Sequence, residues 1–158
     1  MEPTIGQLQD IWHKTIDAKG GHCVVCGRWG KTYKHAITRA RVRSLLWLCA
    51  APGDDKGWID VPNTAPRWLV RTNSMSTLKF WGLIERKPVE KGSKTKHSGL
   101  WRPTQLGHDF AKGQVFVPKE IYTYNDHLRG VSSAQVRVMD CFDSVFDYQE
   151  TMNSIFKG

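Results

Sequence analysis

The fold of this chain is decided by nine consecutive residues, Leu78-Lys79-Phe80-Trp81-Gly82-Leu83-Ile84-Glu85-Arg86. The leucine and the tryptophan, three positions apart, are spaced to face inward from a helix, and Gly82 supplies the left-handed conformation at which helices commonly end. Asn73 or Ser74 is the expected cap at the start of this helix. The residues from Leu83 to Pro88 predict a strand. The stretch is therefore the junction between a helix and a strand.

The elements predicted on either side of this junction make an α+β domain. In chain order they are a helix at 37–50, a strand at 57–61, two helices at 66–70 and 73–82, a strand at 83–88, a loop at 89–98, a strand at 99–103 and a helix at 104–112. Thr38 and Thr104 are the expected caps of the first and the last of these helices. Leu106 and Phe110 are expected to face inward from the last.

Two segments within this region carry a family resemblance. The first is the junction itself, and the second is Trp101-Arg102-Pro103-Thr104-Gln105-Leu106-Gly107. Together they resemble the winged helix-turn-helix of multiple-antibiotic-resistance-type regulators, which typically read leucine, two or three residues, Gly-Leu-Ile-Glu-Arg and later Leu-Thr-x-x-Gly. The resemblance covers about residues 58–112. It implies a winged-helix core over residues 37–113, with a wing that is longer and richer in lysine than is usual.

The resemblance also implies double-stranded DNA as the partner, with the helix before Gly82 in the major groove. Arginines at the start of the first core helix and lysines of the wing are expected on phosphates: Arg39, Arg41, Arg43, Lys91, Lys94 and Lys96. Polar residues near the predicted recognition helix are expected at base edges: Arg71, Thr72, Asn73, Ser74, Ser76, Thr77 and Lys79. Asn73 is equally a candidate helix cap.

The distribution of charge favours a polyanionic partner. The formal net charge is +8, and residues 28–43 contain six basic residues and no acidic one. Residues 67–102 contain nine basic and two acidic residues. Such clustering is typical of a nucleic-acid-binding face, although solvated faces that only keep the protein soluble give the same pattern. The alternative function is a protein-interaction module, such as a phage-type inhibitor that docks its basic face on an acidic surface of a host nucleic-acid enzyme.

A Cys-x-x-Cys-Gly-Arg motif at Cys23 and Cys26 is typical of half of a zinc site. A second such pair is absent from the sequence, and His35, nine residues past Cys26, is the best local candidate for a further ligand. The other candidates are His13, His22, Cys49, His97, His108 and Cys141, or a second copy of the protein. A structural zinc, a metal-free thiol turn and redox chemistry therefore all stay open.

The two ends of the chain flank the predicted core. Residues 1–36 predict an amphipathic helix over 1–19 followed by the cysteine knuckle, and residues 114–158 form the third region. There, two β-rich runs at 115–117 and 121–124, the second continuing through a turn to 128–130, suggest a second hairpin. From Ser132 onward the spacing of apolar residues predicts a helix, whose apolar stripe packs on the core or forms a homodimer seam.

Several classes of function are disfavoured by the sequence. No apolar run is long enough to cross a bilayer, and the first ten residues lack the layout of a signal peptide, so we expect a cytoplasmic protein without a membrane partner. No phosphate-binding glycine loop, zinc-protease motif or nucleophile elbow is present, so we do not expect an enzyme. The whole chain also resembles small phage-encoded proteins that join a CxxCGR-type knuckle to a winged-helix module, a resemblance that by itself implies no activity. A DNA-binding transcriptional regulator of phage type is the function we expect from the winged helix and the clustered basic charge.

Overall fold

The computed structural model describes residues 2–71, 74–92, 94 and 97–142. Its α-helices are α1 (Ile5–Asp17), α2 (Arg39–Ala50), α3 (Val61–Thr64), α4 (Arg67–Val70) and α5 (Gln105–Ala111). Its strands are β1 (Gly21–His22), β2 (Trp29–Gly30), β3 (Tyr33–Ala36), β4 (Ile59–Asp60), β5 (Ile84–Arg86), β6 (Leu100–Pro103), β7 (Val117–Pro118), β8 (Glu120–Tyr124), β9 (His127–Val131) and β10 (Gln135–Val136). Two 3₁₀ helices span Ser76–Trp81 and Val138–Cys141.

These elements form two compact units, and the chain belongs to the α+β class. The first unit contains Met1–Ala36 and Glu120–Ser132, and the second contains Ile37–Lys119 and Ser133–Gly158. The hairpin β8–β9 therefore returns to the first unit, where β8 pairs with β3 in an antiparallel sheet of order β3-β8-β9.

Helix α1 of the first unit begins at a capping box. The Thr4 hydroxyl accepts from the Gln7 amide, and the Gln7 side chain accepts from the Thr4 amide in return. Only Ile16 of this helix is fully buried, whereas Ile5 and Ile11 are 76% and 48% exposed. The amphipathic helix predicted here is present, but part of its apolar face is open to solvent.

The core of the second unit lies around α2. Thr38 caps this helix, as predicted, and its central residues are almost fully buried: Val42, Leu45, Leu46 and Leu48. Helix α5 packs against α2, with Phe110 fully buried and Gly107 directly against the backbone carbonyl of Leu83. Thr104 caps α5 through the Gly107 amide, as predicted.

A three-stranded antiparallel sheet of order β4-β6-β5 completes this core. Leu83, Ile84 and Trp101 are buried. The central strand β6 is the returning strand of the hairpin, so the loop between β5 and β6 extends from one end of the sheet. Both strands lie where the sequence predicts them: β5 is shorter at both ends, and β6 begins one residue later.

Four expectations differ from the structure. The helix before Gly82 is a 3₁₀ helix of six residues, and Ser74 does not cap it because Met75 holds that position; Asn73 lies outside the described residues. The predicted second hairpin is present as β8–β9, but the run at 115–117 is no part of it, since β7 pairs with β10 instead. Leu106 is 38% exposed rather than buried, and Gly107 takes the inward position.

The fourth difference concerns the predicted terminal helix. Its first part, residues 133–142, forms β10 and a 3₁₀ helix. The pairing of β10 with β7 supplies the backbone hydrogen bonds that a helix would have formed within its own residues. The remainder of the predicted helix, from Asp143 on, lies outside the described residues.

Candidate nucleic-acid interface

The loop between β5 and β6 is closed at its base by hydrogen bonds. The Lys87 amide donates to the Leu100 carbonyl at 2.9 Å, and the Ser98 hydroxyl donates to the Lys87 carbonyl at 2.6 Å. Beyond this closure, Lys91 and Lys94 are exposed. Lys96, the third predicted phosphate contact of the loop, lies outside the described residues. The sheet thus presents at least two lysines at the end of a closed hairpin.

The strands that carry this loop are fixed by cation and aromatic contacts. The Arg86 guanidinium lies over the Trp101 ring at 4.1 Å, and that of Arg102 lies over the Trp58 ring at 4.0 Å. Arg102 also donates from Nε to the Glu85 carboxylate at 2.6 Å. This pairing uses one of the two acidic residues between Arg67 and Arg102, so Glu85 is held at the strand and away from the loop tip.

The 3₁₀ helix Ser76–Trp81 is held by its inward side. Leu78 is fully buried and Trp81 nearly so, as predicted, and Met75 is buried as well. The Trp81 indole Nε1 donates to the Pro118 carbonyl at 2.8 Å. Gly82 ends the helix with a φ of 75°, in the left-handed region that favours glycine. The helix is therefore anchored along one side, and its other side carries Ser76, Lys79 and Phe80, all half-buried.

Arg41 connects this helix to α2. Its Nε donates to the Thr77 hydroxyl at 2.8 Å, and that hydroxyl donates to the Ser74 carbonyl at 2.7 Å. Burial lowers the pKa of the Arg41 guanidinium because removal from water disfavours its charge. Arg41 and Thr77 thus make a structural contact on the inner side of the predicted interface.

The other predicted contacts are spread over the second unit. Arg39 is exposed at the start of α2 and lies 5.6 Å from the Phe142 ring centre, whereas the half-buried Arg43 lies 4.9 Å from that of Trp68. Arg71 is exposed at the end of α4. Lys79 lies over the Phe80 ring at 5.1 Å. Thr72 lies, like Asn73, outside the described residues.

Arg67 is an exposed cation that the predicted contacts did not include. It is exposed and begins α4, four residues before Arg71. Residues four apart on a helix lie on the same face. This spacing is the signal that could have added Arg67 to the predicted contacts, because Pro66 already marked the start of the helix.

The cysteine motif lies in the first unit, in a tight turn closed by β1 and β2. Cys23 and Cys26 are brought together there, and hydrogen bonds from the backbone amides of Cys26 and Val25 lower the pKa of the Cys23 thiol. His35 lies on β3, where its Nε2 is 3.1 Å from the Thr123 hydroxyl. Within the described ranges, no group of three or more His, Cys, Asp or Glu side chains is arranged to hold a metal ion. Zinc therefore stays a prediction.

No protein-family model, no curated sequence and no solved structure matches this chain. Among the described residues, no helix has the length and apolar character required to cross a membrane.

Proposed function

We propose that the second unit is a winged-helix module that binds double-stranded DNA. The observation that carries this proposal is the sheet order β4-β6-β5 with α2 before β4 and the 3₁₀ helix directly before β5. In a winged helix, the hairpin of such a sheet is the wing and the helix before it is the recognition element. The lysine-bearing β5–β6 loop would then be the wing.

The charge of this unit supports a polyanionic partner. The second unit contains 17 basic and 10 acidic residues, a formal net charge of +7, and its segment 37–119 alone carries +9. Lys91 and Lys94 at the wing and Arg67 and Arg71 on α4 are exposed. Exposed lysines and arginines bind phosphates through a salt-dependent, sequence-independent attraction. Wing and α4 therefore supply affinity, and Arg39 adds a cation at the start of α2.

Base reading is assigned to the outward side of the 3₁₀ helix. Ser76 and Lys79 are its polar residues, and Arg71 in the preceding turn can approach guanine with two hydrogen bonds. Arg41 and Thr77 hold this helix against α2 and are positioning residues in this proposal. A helix of six residues offers few base contacts, so affinity is expected to exceed sequence preference.

The test uses fluorescence anisotropy with a labelled duplex of random sequence at ~50 mM salt, where phosphate contacts are strong. We expect the triple variant Lys91→Gln, Lys94→Gln and Lys96→Gln to bind about tenfold or more weakly than the native protein. The matched control removes three lysines outside the wing by Lys14→Gln, Lys19→Gln and Lys119→Gln. Equal losses in the two variants would contradict a wing interface, and failure of the native protein to bind any duplex would contradict the proposed function.

The shortness of the 3₁₀ helix favours one alternative, a module that docks its basic face on an acidic protein surface. Thr77 is hydrogen-bonded to Arg41 and Ser76 is half-buried, so this helix offers few polar side chains for contacts with DNA bases. Affinity capture from a nuclease-treated lysate separates the two functions. Protein partners that survive nuclease treatment and are lost from the triple wing variant favour the alternative, and partners that disappear with the nucleic acid favour DNA binding.

A further inference from the structure

The turn that carries Cys23 and Cys26 has the hydrogen bonding of a metal-binding knuckle. The Cys23 amide donates to the Arg28 carbonyl and the Gly27 amide donates to the Cys23 carbonyl, both at 2.8 Å. The Val25 amide points at the Cys23 sulfur, 3.4 Å away. Gly27 has a φ of 74°, which lets the chain turn back around the two sulfurs. Amides directed at sulfur stabilise the thiolate, the form that binds metals.

The turn is held on a rigid base. Strands β1 and β2 pair Gly21 with Gly30 and His22 with Trp29 on either side of it. The His22 ring packs edge-on against the Trp29 ring, with 5.3 Å between the ring centres, and its Nδ1 lies 3.0 Å from the Gly27 carbonyl. Both thiols are therefore presented from a fixed turn, with Cys26 exposed and Cys23 half-exposed.

The two sulfurs make only half of a zinc site, because structural zinc takes four ligands in a tetrahedron. No third ligand joins them within the part of the chain that the structure describes. The other two cysteines are poor thiolate donors, since burial raises the pKa of Cys49 to about 12 and that of Cys141 to about 11. Within the described residues, the other pair of ligands is therefore not supplied by the same copy of the chain.

The surface beside the turn is apolar and exposed. Val24 and Val25 are 69% and 74% exposed, and Ile5 and Ile11 of α1 are exposed as well. These residues line a cavity of about 270 Å³ between α1 and the turn. Contiguous exposed apolar surface is typical of an interaction site. The first unit has six basic and five acidic residues, so two copies would approach without strong repulsion.

We propose that two copies of this chain bind one zinc ion between them through Cys23 and Cys26 of each copy. A two-fold axis through the metal supplies the four sulfurs from two identical turns, and the same axis brings each Val24–Val25 pair against the other copy. Because the metal joins the two copies, a chelator that removes it should separate them.

The test measures zinc content and molecular mass on the same purified sample. We expect one zinc per two chains and the mass of a dimer, with a chelator giving the metal-free monomer. Cys23→Ser with Cys26→Ser should abolish both zinc binding and dimerisation, whereas the control Cys49→Ala should retain both. Cobalt in place of zinc should give the absorption of a tetrahedral four-sulfur site.

A second variant tests the interface while keeping every ligand. Val24→Lys with Val25→Lys should weaken the dimer and raise the zinc concentration needed to form it, with circular dichroism confirming that the protein is folded. One zinc bound per monomer, a dimer that persists after chelation or after loss of both cysteines, or a protein that takes up no zinc would each overturn the proposal.

Discussion

Gly107 lies where α5 packs directly against the backbone of Leu83, the residue before β5. A Cβ at this position would overlap the backbone carbonyl oxygen of Leu83, which also accepts a hydrogen bond from the Thr104 amide at 3.0 Å. Because a backbone atom cannot move aside as a flexible side chain can, any larger residue forces α5 away from the sheet. Gly107 belongs to the motif recognised in the sequence, but from the sequence Leu106, not Gly107, is predicted to face inward from α5.

Gly107→Ala is therefore expected to lower the free energy of unfolding by about 1–3 kcal/mol, the usual cost of overpacking. The control is Gly130→Ala, since a Cβ at Gly130 meets no atom within 4 Å. Urea denaturation of the two variants measures the difference. Equal stability of the two variants would show that α5 does not pack on Leu83 as described.

Asp17 gives a pH-dependent contribution within the first unit. Its carboxylate accepts from the Thr32 hydroxyl at 2.6 Å and from the Arg129 guanidinium at 2.7 Å, and these bonds lower its pKa, with Thr32 the larger cause. A lowered pKa in the folded state stabilises the protein above the pKa of the unfolded chain. That stabilisation is lost as the pH falls through the folded-state value.

Asp17→Asn should therefore destabilise the protein at neutral pH by no more than about 1 kcal/mol, because the side chain is half exposed and screened by water. The difference from the native protein should shrink toward zero at a pH below the lowered pKa. Denaturation curves at several pH values measure this, with Asp10→Asn as the control. A difference that does not change with pH would refute the assignment.

At the scale of elements, the strongest sequence signals were capping residues and apolar spacing. Thr38 and Thr104 marked the starts of two helices correctly, and Ile84 and Trp101 lie in strands as predicted, because each signal depends on neighbours within one turn or one pleat. The hairpin β8–β9 turns at Asn125 and Asp126, whose φ values are both positive, and this pair was a local signal too.

The elements that sequence reasoning missed depend on partners far along the chain. Val117 pairs with Val136, and His35 with Ile121, so neither pairing follows from local pattern. Thr77 of the 3₁₀ helix Ser76–Trp81 accepts a hydrogen bond from Arg41, which lies 36 residues away in the sequence. The charge clusters and the cysteine pair were visible in the sequence. The hydrogen bond from Arg41 to Thr77 could be found only in the folded structure.

The Arg41–Thr77 contact predicts how the 3₁₀ helix is positioned. Thr77→Val removes the hydroxyl that accepts from Arg41 and donates to Ser74, at an expected cost of about 1–2 kcal/mol in the free energy of unfolding. Thr77→Ser keeps the hydroxyl and should restore most of the stability.

DNA affinity adds a second measurement on the same variants. Under conditions in which both remain folded, Thr77→Val should bind a duplex more weakly than Thr77→Ser, because the helix is less firmly held. Identical affinities would mean that the position of this helix does not matter for DNA binding.

Across the whole molecule, formal charge is unequally divided between the two units. The residues of the second unit sum to +7, whereas those of the first unit, which carries the cysteine turn, sum to +1. This asymmetry predicts that DNA binding and zinc-dependent dimerisation are separable. The wing variant should therefore still dimerise, and the cysteine variant should still bind DNA. If the two modules of a native dimer bind one duplex together, the monomeric cysteine variant should bind that duplex with lower affinity.

The salt dependence of DNA binding tests the central claim most directly. The logarithm of the association constant falls with the logarithm of the salt concentration by about 0.9 per phosphate neutralised. Replacement of Lys91, Lys94 and Lys96 by glutamine should therefore reduce the slope by roughly 2–3, if each lysine contacts one phosphate. The control at Lys14, Lys19 and Lys119 should leave the slope as it is in the native protein. An unchanged slope in the wing variant would contradict the account.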